Sequence, residues 1–428
     1  MHSIVGRLWA CGCFLLAVAP VEAEEWPQFR GPSGNGIAAE QKAPLRWSST
    51  QHVKWKVPLP QAGNGSPIVS NGCVFLACAE DEQGKRRSLY CFDRETGKQR
   101  WVRTVDFGKV MPTHKANPYC ASTPATDGKH IVVWHGSAGL FCYDWSGRQL
   151  WSRDLGTFNH IWGYATSPVL HRGKVILHTG PGKRVFVAAF DLRTGNELWR
   201  AEEPVAFREA SRNESGQYEG SWTTPVLAEI GGKVHAVCTM PTRVVGVDVE
   251  TGKLLWWCRG IRGPRGDLAY SSPMIGDGLC VAIGGYGGPA IGLRLGGHGD
   301  VTDTHRLWRV EKNPQSIGTG VFVDSRVYRI NAARPAPIEC LDPRTGKILW
   351  QSDPRGGICW GSLVAVGRTG YVSNCKGTTI VFRLDPSRYT EIARNALGEP
   401  CHATPAVSNG ELFIRTWKHL YCIADPAL

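Results

Sequence analysis

A chain of 428 residues, 42% hydrophobic and 20% charged, is globular in composition and long enough for one large repetitive domain or two ordinary ones. With 51 Gly, 17 Trp and few runs at helical spacing, it excludes a helical bundle and predicts short strands joined by tight turns. The formal charge of +12 comes from Lys and Arg scattered through turns with no basic stripe. That pattern excludes a nucleic-acid groove and suits proximity to anionic envelope surfaces.

Residues 1–23 read as a secretory signal: a short n-region with Arg7, an apolar core LWACGCFLLAVA, and small residues ahead of a cut after Ala23. The apolar run is too short to span a bilayer, and no cysteine follows it to take a lipid. Cleavage removes one Arg and one Glu and leaves the charge at +12. Residues 24–52 form a leader that opens WPQFRGPSGNG. The propeller described below is assigned to 53–428.

After the leader, one sentence recurs: LYCFDRETGKQRW, LFCYDWSGRQLW, VAAFDLRTGNELW, VVGVDVETGKLLW and PIECLDPRTGKILW. Trp101, Trp151, Trp199, Trp256, Trp308 and Trp350 lie 42 to 57 residues apart. That is the period of propeller blades. Each unit opens on a Ser/Thr-Pro signal, as in GSPIVSNG, STPATDG, TSPVL, TTPVL, SSPMIGDG and ATPAVSNG. Weaker copies begin at Thr319 and Trp360, which makes eight units.

Each unit parses as four strands. An innermost strand follows the proline, a pair such as Asn71-Gly72 turns the chain, the third strand carries the aspartate and the fourth the tryptophan. In Asp-x-x-Thr-Gly the side chains of Asp and Thr are suited to bond turn amides, and Gly to take the left-handed conformation. The Trp residues are predicted to dock neighbouring blades. The last unit lacks its tryptophan strand, while VKWKVPLP (Val53 to Pro60) has Trp55 and no partners of its own. The fold predicted is therefore all-β: an eight-bladed propeller of four-stranded antiparallel blades, closed by an N-terminal strand completing the C-terminal blade. Seven blades is the alternative count.

With repeats of the form x-x-D-x-x-T-G-K-x-x-W across nearly the whole chain after residue 26, the sequence resembles the PQQ-like repeat (quinoprotein-type) β-propeller family. Its leader resembles that of exported bacterial members. The resemblance implies either of two activities, because the family holds quinoprotein alcohol and glucose dehydrogenases and the non-enzymatic, assembly-type BamB proteins. The repeat specifies fold, not activity.

Thirteen of the 15 cysteines follow Ala23. Cys91, Cys142, Cys340 and Cys422 share one slot, two before the aspartate, where other units carry Ala189 or Gly246. A slot shared by Cys, Ala and Gly calls for a small buried residue. On separate blades these four cannot bridge each other directly. The other nine, among them Cys120, Cys359 and Cys401, have the number for one or two disulfides in an unassigned pairing. No Cys-x-x-Cys, metalloprotease, serine-hydrolase or phosphate-loop motif occurs, and His130 and His135 fall on opposite strand faces.

The loops before the inner strands converge on one mouth of a propeller. They bring Tyr119, Trp162, Tyr164, Tyr218, Glu219, Trp222, Tyr270, Trp360 and His402 to an aromatic funnel. Plugging of the channel explains the aromatics equally well. The family resemblance implies, for an enzyme, PQQ with calcium, Asp267 in the segment that carries a catalytic Asp, and Glu219 and Asn117 as oxygen ligands. The chain lacks the adjacent cysteine pair typical of the alcohol dehydrogenases and any haem-binding Cys-x-x-Cys-His. The expectation is a monomeric, periplasmic or secreted binding or assembly scaffold that docks an envelope protein or extended peptide, with no resident cofactor. A PQQ- and calcium-dependent dehydrogenase of alcohols or sugars is the alternative.

Overall fold

The aspartate sentence folds as a hairpin locked by its own side chains. Asp93 Oδ1 accepts from the amides of Glu95 and Thr96 and from Thr96 Oγ1 at 2.8–3.1 Å, while the Gly97 amide returns to Asp93 O. Gly97 has φ +70°, so the turn requires the residue without a Cβ. Asp144 with Ser146, Asp191 with Thr194 and Asp385 with Ser387 repeat the device.

The computed structural model describes residues 25–180, 184–203, 219–332, 338–353 and 356–427. The secretory segment 1–23 and Tyr218 lie outside them. Eight antiparallel sheets are arranged as successive blades: 68–106, 125–153, 169–202, 226–259, 274–310, 321–351, 364–396, and an eighth in which Val53–Pro58 pairs with His419–Ile423. The chain is thus an eight-bladed propeller closed by its N-terminal strand, with Trp55 opposite Cys422 in the place of the missing outer-strand tryptophan.

The cysteine slot now has a sharper explanation. Its residue sits directly across the ladder from the outer-strand Trp: Cys91 faces Trp101, Cys142 faces Trp151, Ala189 faces Trp199, Gly246 faces Trp256, and Cys340 faces Trp350. The indole lies over that position; a Cβ on Gly246 would come within 2.3 Å of the Trp256 ring. A register shift follows the pair in each of these ladders, the mark of a β-bulge. Blade 7 inverts the volumes, with Val381 opposite Ala393. Trp47 of the leader, 4% exposed, packs into that same apolar cluster.

Each tryptophan then locks the next blade. The Nε1–H groups of Trp55, Trp151, Trp199, Trp308 and Trp350 donate to Arg94 O, Leu192 O, Val249 O, Pro343 O and Asp385 O at 2.7–3.0 Å, and that of Trp101 to Trp145 O at 3.2 Å. Trp256 departs from the pattern and donates to His235 Nδ1 of its own blade at 3.1 Å. The tight turn that should receive it is replaced in blade 5 by a longer connection, whose Gly299–Asp300 runs parallel beside Trp256 and Trp257. Buried Trp256 still packs on Cys280 and Ile291 of blade 5.

All thirteen cysteines from Cys73 to Cys422 are free thiols, twelve of them buried, so the one or two disulfides for which the count left room do not form among the described residues. Burial pushes the Cys238 and Cys280 thiols well above their ordinary range. They behave as small core residues. No helix of the described residues is long and apolar enough to cross a membrane.

Candidate functional site

The Ser or Thr of the six Ser/Thr-Pro signals, together with Thr319 and Ser362 of the two weaker units, form a circle. The amide of Ser66 donates to Thr123 Oγ1, Thr123 to Ser167, Ser167 to Thr224, and Thr224 to Ser272, at 2.9–3.1 Å. Ser272 then donates to Thr319, Thr319 to Ser362, Ser362 to Thr404, and Thr404 back to Ser66, at 2.9–3.0 Å. One hydroxyl per blade thus satisfies a buried backbone amide of the preceding blade, in blades 6 and 7 through Thr319 and Ser362, which no proline follows.

The leader closes the channel from the other face. Trp26 exchanges backbone bonds with Val69 of blade 1, Pro27 O accepts from Thr126 of blade 2, and Gln28 Oε1 from Leu170 of blade 3. Arg30, buried and at φ 65°, donates to Asn35 O and to Gly320 O of blade 6. Burial lowers its guanidinium to about 9. Gly36 and Ala38 then bond Ala365 of blade 7, and Glu40 accepts from Asn409 of blade 8. Phe29 of this strap lines the channel floor.

Above the floor is a cavity of about 310 Å³. Its wall carries six hydroxyls of the ring: Ser66, Thr224, Ser272, Thr319, Ser362 and Thr404. Its rim carries Trp162, Trp222, Tyr270 and Tyr286 from blades 3 to 5, and Trp360 and His402 from blades 7 and 8. Trp162 packs on Trp222, Tyr270 and Tyr286 with centroids 5.3–6.1 Å apart. His402 lies between Trp360 and Trp417 at 4.8 and 5.0 Å. Its Nδ1 is 2.9 Å from Ala116 O, which can only accept, so Nδ1 carries the proton and Nε2 is the acceptor. Burial lowers the His402 pKa and favours this neutral form.

The loop before blade 2 braces the rim. Asn117 Nδ2 donates to Trp162 O at 2.8 Å and Tyr164 O at 3.2 Å, and its Oδ1 accepts from Asn64 Nδ2 at 3.0 Å. No Lys, Arg, Asp or Glu is among the described residues lining the cavity.

Of the residues expected at the funnel, Trp162, Trp222, Tyr270, Trp360 and His402 line it, as does Asn117. Tyr119 and Tyr164 stand behind the wall, both within 5.6 Å of the buried Arg87 guanidinium, where their rings face a cation that would otherwise be costly to bury. Glu219 and Asp267 pair in a short parallel ladder outside the cavity. Asp267 is buried; burial raises its pKa against the opposing pull of Arg262, whose Nε lies 2.8 Å from Oδ1. It lines a second, charged cavity with Lys312 and Glu311. Tyr286 and Phe29 are cavity residues that sequence reasoning missed; neither stands in a loop immediately before an inner strand. No group of three or more His, Cys, Asp or Glu could hold a metal among the described residues.

A closed eightfold ring built from Asp-turn repeats defines a PQQ-repeat β-propeller. The family described as outer membrane protein assembly factor BamB matches residues 85–352 and 334–426, and the chain belongs to it. Among solved structures it is similar to BamB from Moraxella catarrhalis, at 15% identity and TM-score 0.60 over 88% of this chain and 98% of that one. It is also similar to the quinohemoprotein alcohol dehydrogenase of Comamonas testosteroni, at 13% identity and TM-score 0.64 over 93% and 80%. Likeness at these identities is likeness of fold. By sequence, 200 residues are 24% identical to a quinohemoprotein alcohol dehydrogenase of Pseudomonas putida, covering 42% of this chain and 26% of that protein. A polyvinylalcohol dehydrogenase of a Pseudomonas species matches at 22% over 48% of this chain and 35% of its own length. The chain thus spans about a quarter to a third of these relatives' length.

Proposed function

We propose that this protein is an exported binding module of the cell envelope whose ligand site is the central cavity, and that it is not a quinoprotein dehydrogenase. The composition of the cavity wall supports this reading most directly. PQQ is a tricarboxylate, and the family's calcium needs carboxylate oxygens. Among the described residues the cavity wall offers neither a cation nor a carboxylate, while Asp267, Lys312 and Glu311 line a different cavity that lacks the aromatic rim. The residues present do not fit the cofactor. An envelope protein would meet the mouth or the outer strands, and an extended peptide could enter the blind cavity by one end only.

The dehydrogenase reading draws on the similarity to alcohol dehydrogenases and on the buried, Arg262-paired Asp267. The test is reconstitution of the purified protein with PQQ and Ca²⁺, followed by quinone absorbance and dye reduction with alcohols and aldoses. The expected result is no retained quinone and no turnover. Turnover that disappears in Asp267→Asn would overturn the proposal.

A further inference from the structure

We infer that the central cavity takes a neutral pyranose, one sugar ring held between the aromatic rim and the hydroxyl wall. This rests on the cavity being the ligand site. Charge excludes the ionised alternatives first. With no Lys, Arg, Asp or Glu among the described residues of the lining, a phosphate, carboxylate or ammonium buried there would lose its hydration without a partner from them.

Shape excludes the long ones. The strap that carries Phe29 closes the floor, so nothing threads the channel, and about 310 Å³ equals roughly ten water volumes. That space suits a compact ligand at the small end of binding pockets.

The aromatics then choose among compact neutral ligands. Trp162, Trp222, Tyr270 and Tyr286 pack against one another with centroids 5.3–6.3 Å apart. They form one continuous apolar patch and not a box around a gap, which a quaternary ammonium would need. Trp360 stands on the opposite arc of the ring, in blade 7. Such faces suit the C–H side of a sugar ring, whose slightly positive hydrogens meet the negative face of an indole.

Polar groups complete the match. Each ring hydroxyl on the wall already accepts one backbone amide, which leaves it a proton to donate and one lone pair to offer a ligand. His402 Nε2 is an acceptor, fixed as such by the bond from Nδ1 to Ala116 O. A pyranose is uncharged, has an apolar face and an edge of hydroxyls that both donate and accept. A hydrocarbon would leave these groups unmatched.

The experiment is calorimetry and tryptophan fluorescence on the full propeller with methyl glucoside, methyl galactoside, maltose and cellobiose. Sorbitol, glucuronate and glucosamine serve as controls. At least one neutral pyranoside is expected to saturate, with the charged and open-chain controls weaker by about tenfold. Trp360→Ala should weaken it by about tenfold, Trp360→Phe should restore most of the affinity, and His402→Phe should weaken binding while the melting temperature of each variant stays near that of the parent. Sorbitol or glucuronate binding as well as the pyranosides, or none of the four sugars binding, overturns the assignment. In the latter case indole, a neutral planar probe, separates the two failures. If indole saturates and Trp360→Ala abolishes it, the cavity stands as the ligand site and only the sugar falls. If indole also ignores Trp360→Ala, both proposals fall.

Discussion

The backbone amide of Thr404 donates to Ser66 Oγ at 3.0 Å, joining two residues 338 positions apart and closing the circle of hydroxyls around the channel. Eight blades contribute one link each, so this bond exists only when the ring holds all eight. The closure therefore has two layers: this inner link and the outer strand Val53–Pro58, whose Lys54 also reaches Glu411 at 2.7 Å.

Removing one acceptor from the circle should be felt as an unsatisfied buried amide. Thr404→Val keeps the shape but strands the Ser362 amide, and should destabilise by about 1–3 kcal/mol. Thr404→Ser keeps the oxygen and should fall within about 0.5 kcal/mol of the parent. Urea unfolding midpoints at constant m-value compare the two.

The blade seams rest on the indoles. Trp151 is 6% exposed and bonded to Leu192 O at 2.8 Å. Trp151→Ala should cost about 3–5 kcal/mol, and Trp151→Phe less, through the lost bond. Leu150→Ala, one residue away and 38% exposed, should change stability by no more than about 0.5 kcal/mol. Equal effects at 150 and 151 would contradict the seam.

Filling the slot opposite an indole should overpack it. Ala189 faces Trp199 across the ladder, and Ala189→Leu is expected to destabilise by about 1–3 kcal/mol, whereas Cys142→Ala should be tolerated better. Thermal melts of both variants decide this.

Acid should weaken the fold through two buried imidazoles. His135 is lowered to about 3 by burial and nearby Arg87, and His178 to about 4 by burial, against the bond its Nδ1 donates to Thr223 O. Both folded pKa values lie below the unfolded value near 6.5, so below that pH the unfolded chain binds protons that the folded chain refuses. Stability is complete above about pH 6.5 and declines as pH falls toward 4, by about 2 kcal/mol per histidine at pH 5. Unfolding midpoints at pH 7 and pH 5 measure the loss, and His178→Gln should reduce it.

The thiols offer a count. Without reductant, Ellman's reagent should find thirteen reactive cysteines between Cys73 and Cys422 in denaturant, and far fewer in the native protein, because twelve are buried. A denatured count short by two or four would reveal disulfides.

What could be read from the sequence was what repeats. The Asp-x-x-Thr-Gly turn, the tryptophan period and the unpaired VKWKVPLP strand each report a local requirement, and together they counted eight blades and assigned the closing strand. Local chemistry is written where it acts, so the small slot held by Cys91, Ala189 and Gly246 was visible too, although its partner was not: the ladder shows it lying beneath an indole.

Tertiary structure decided what depends on residues distant in sequence. It turned the Ser/Thr-Pro signals into a hydroxyl circle and the leader into the strap that closes the channel floor with Phe29. It also put Asp267 in a cavity apart from Trp162, Trp222 and Trp360. In a ring, each side chain's orientation follows from its angle around the axis and its height along it. Neither coordinate is encoded in neighbouring letters, so the aromatic mouth could be foreseen as a set of loops, but its charge and depth arose only when the eight blades met.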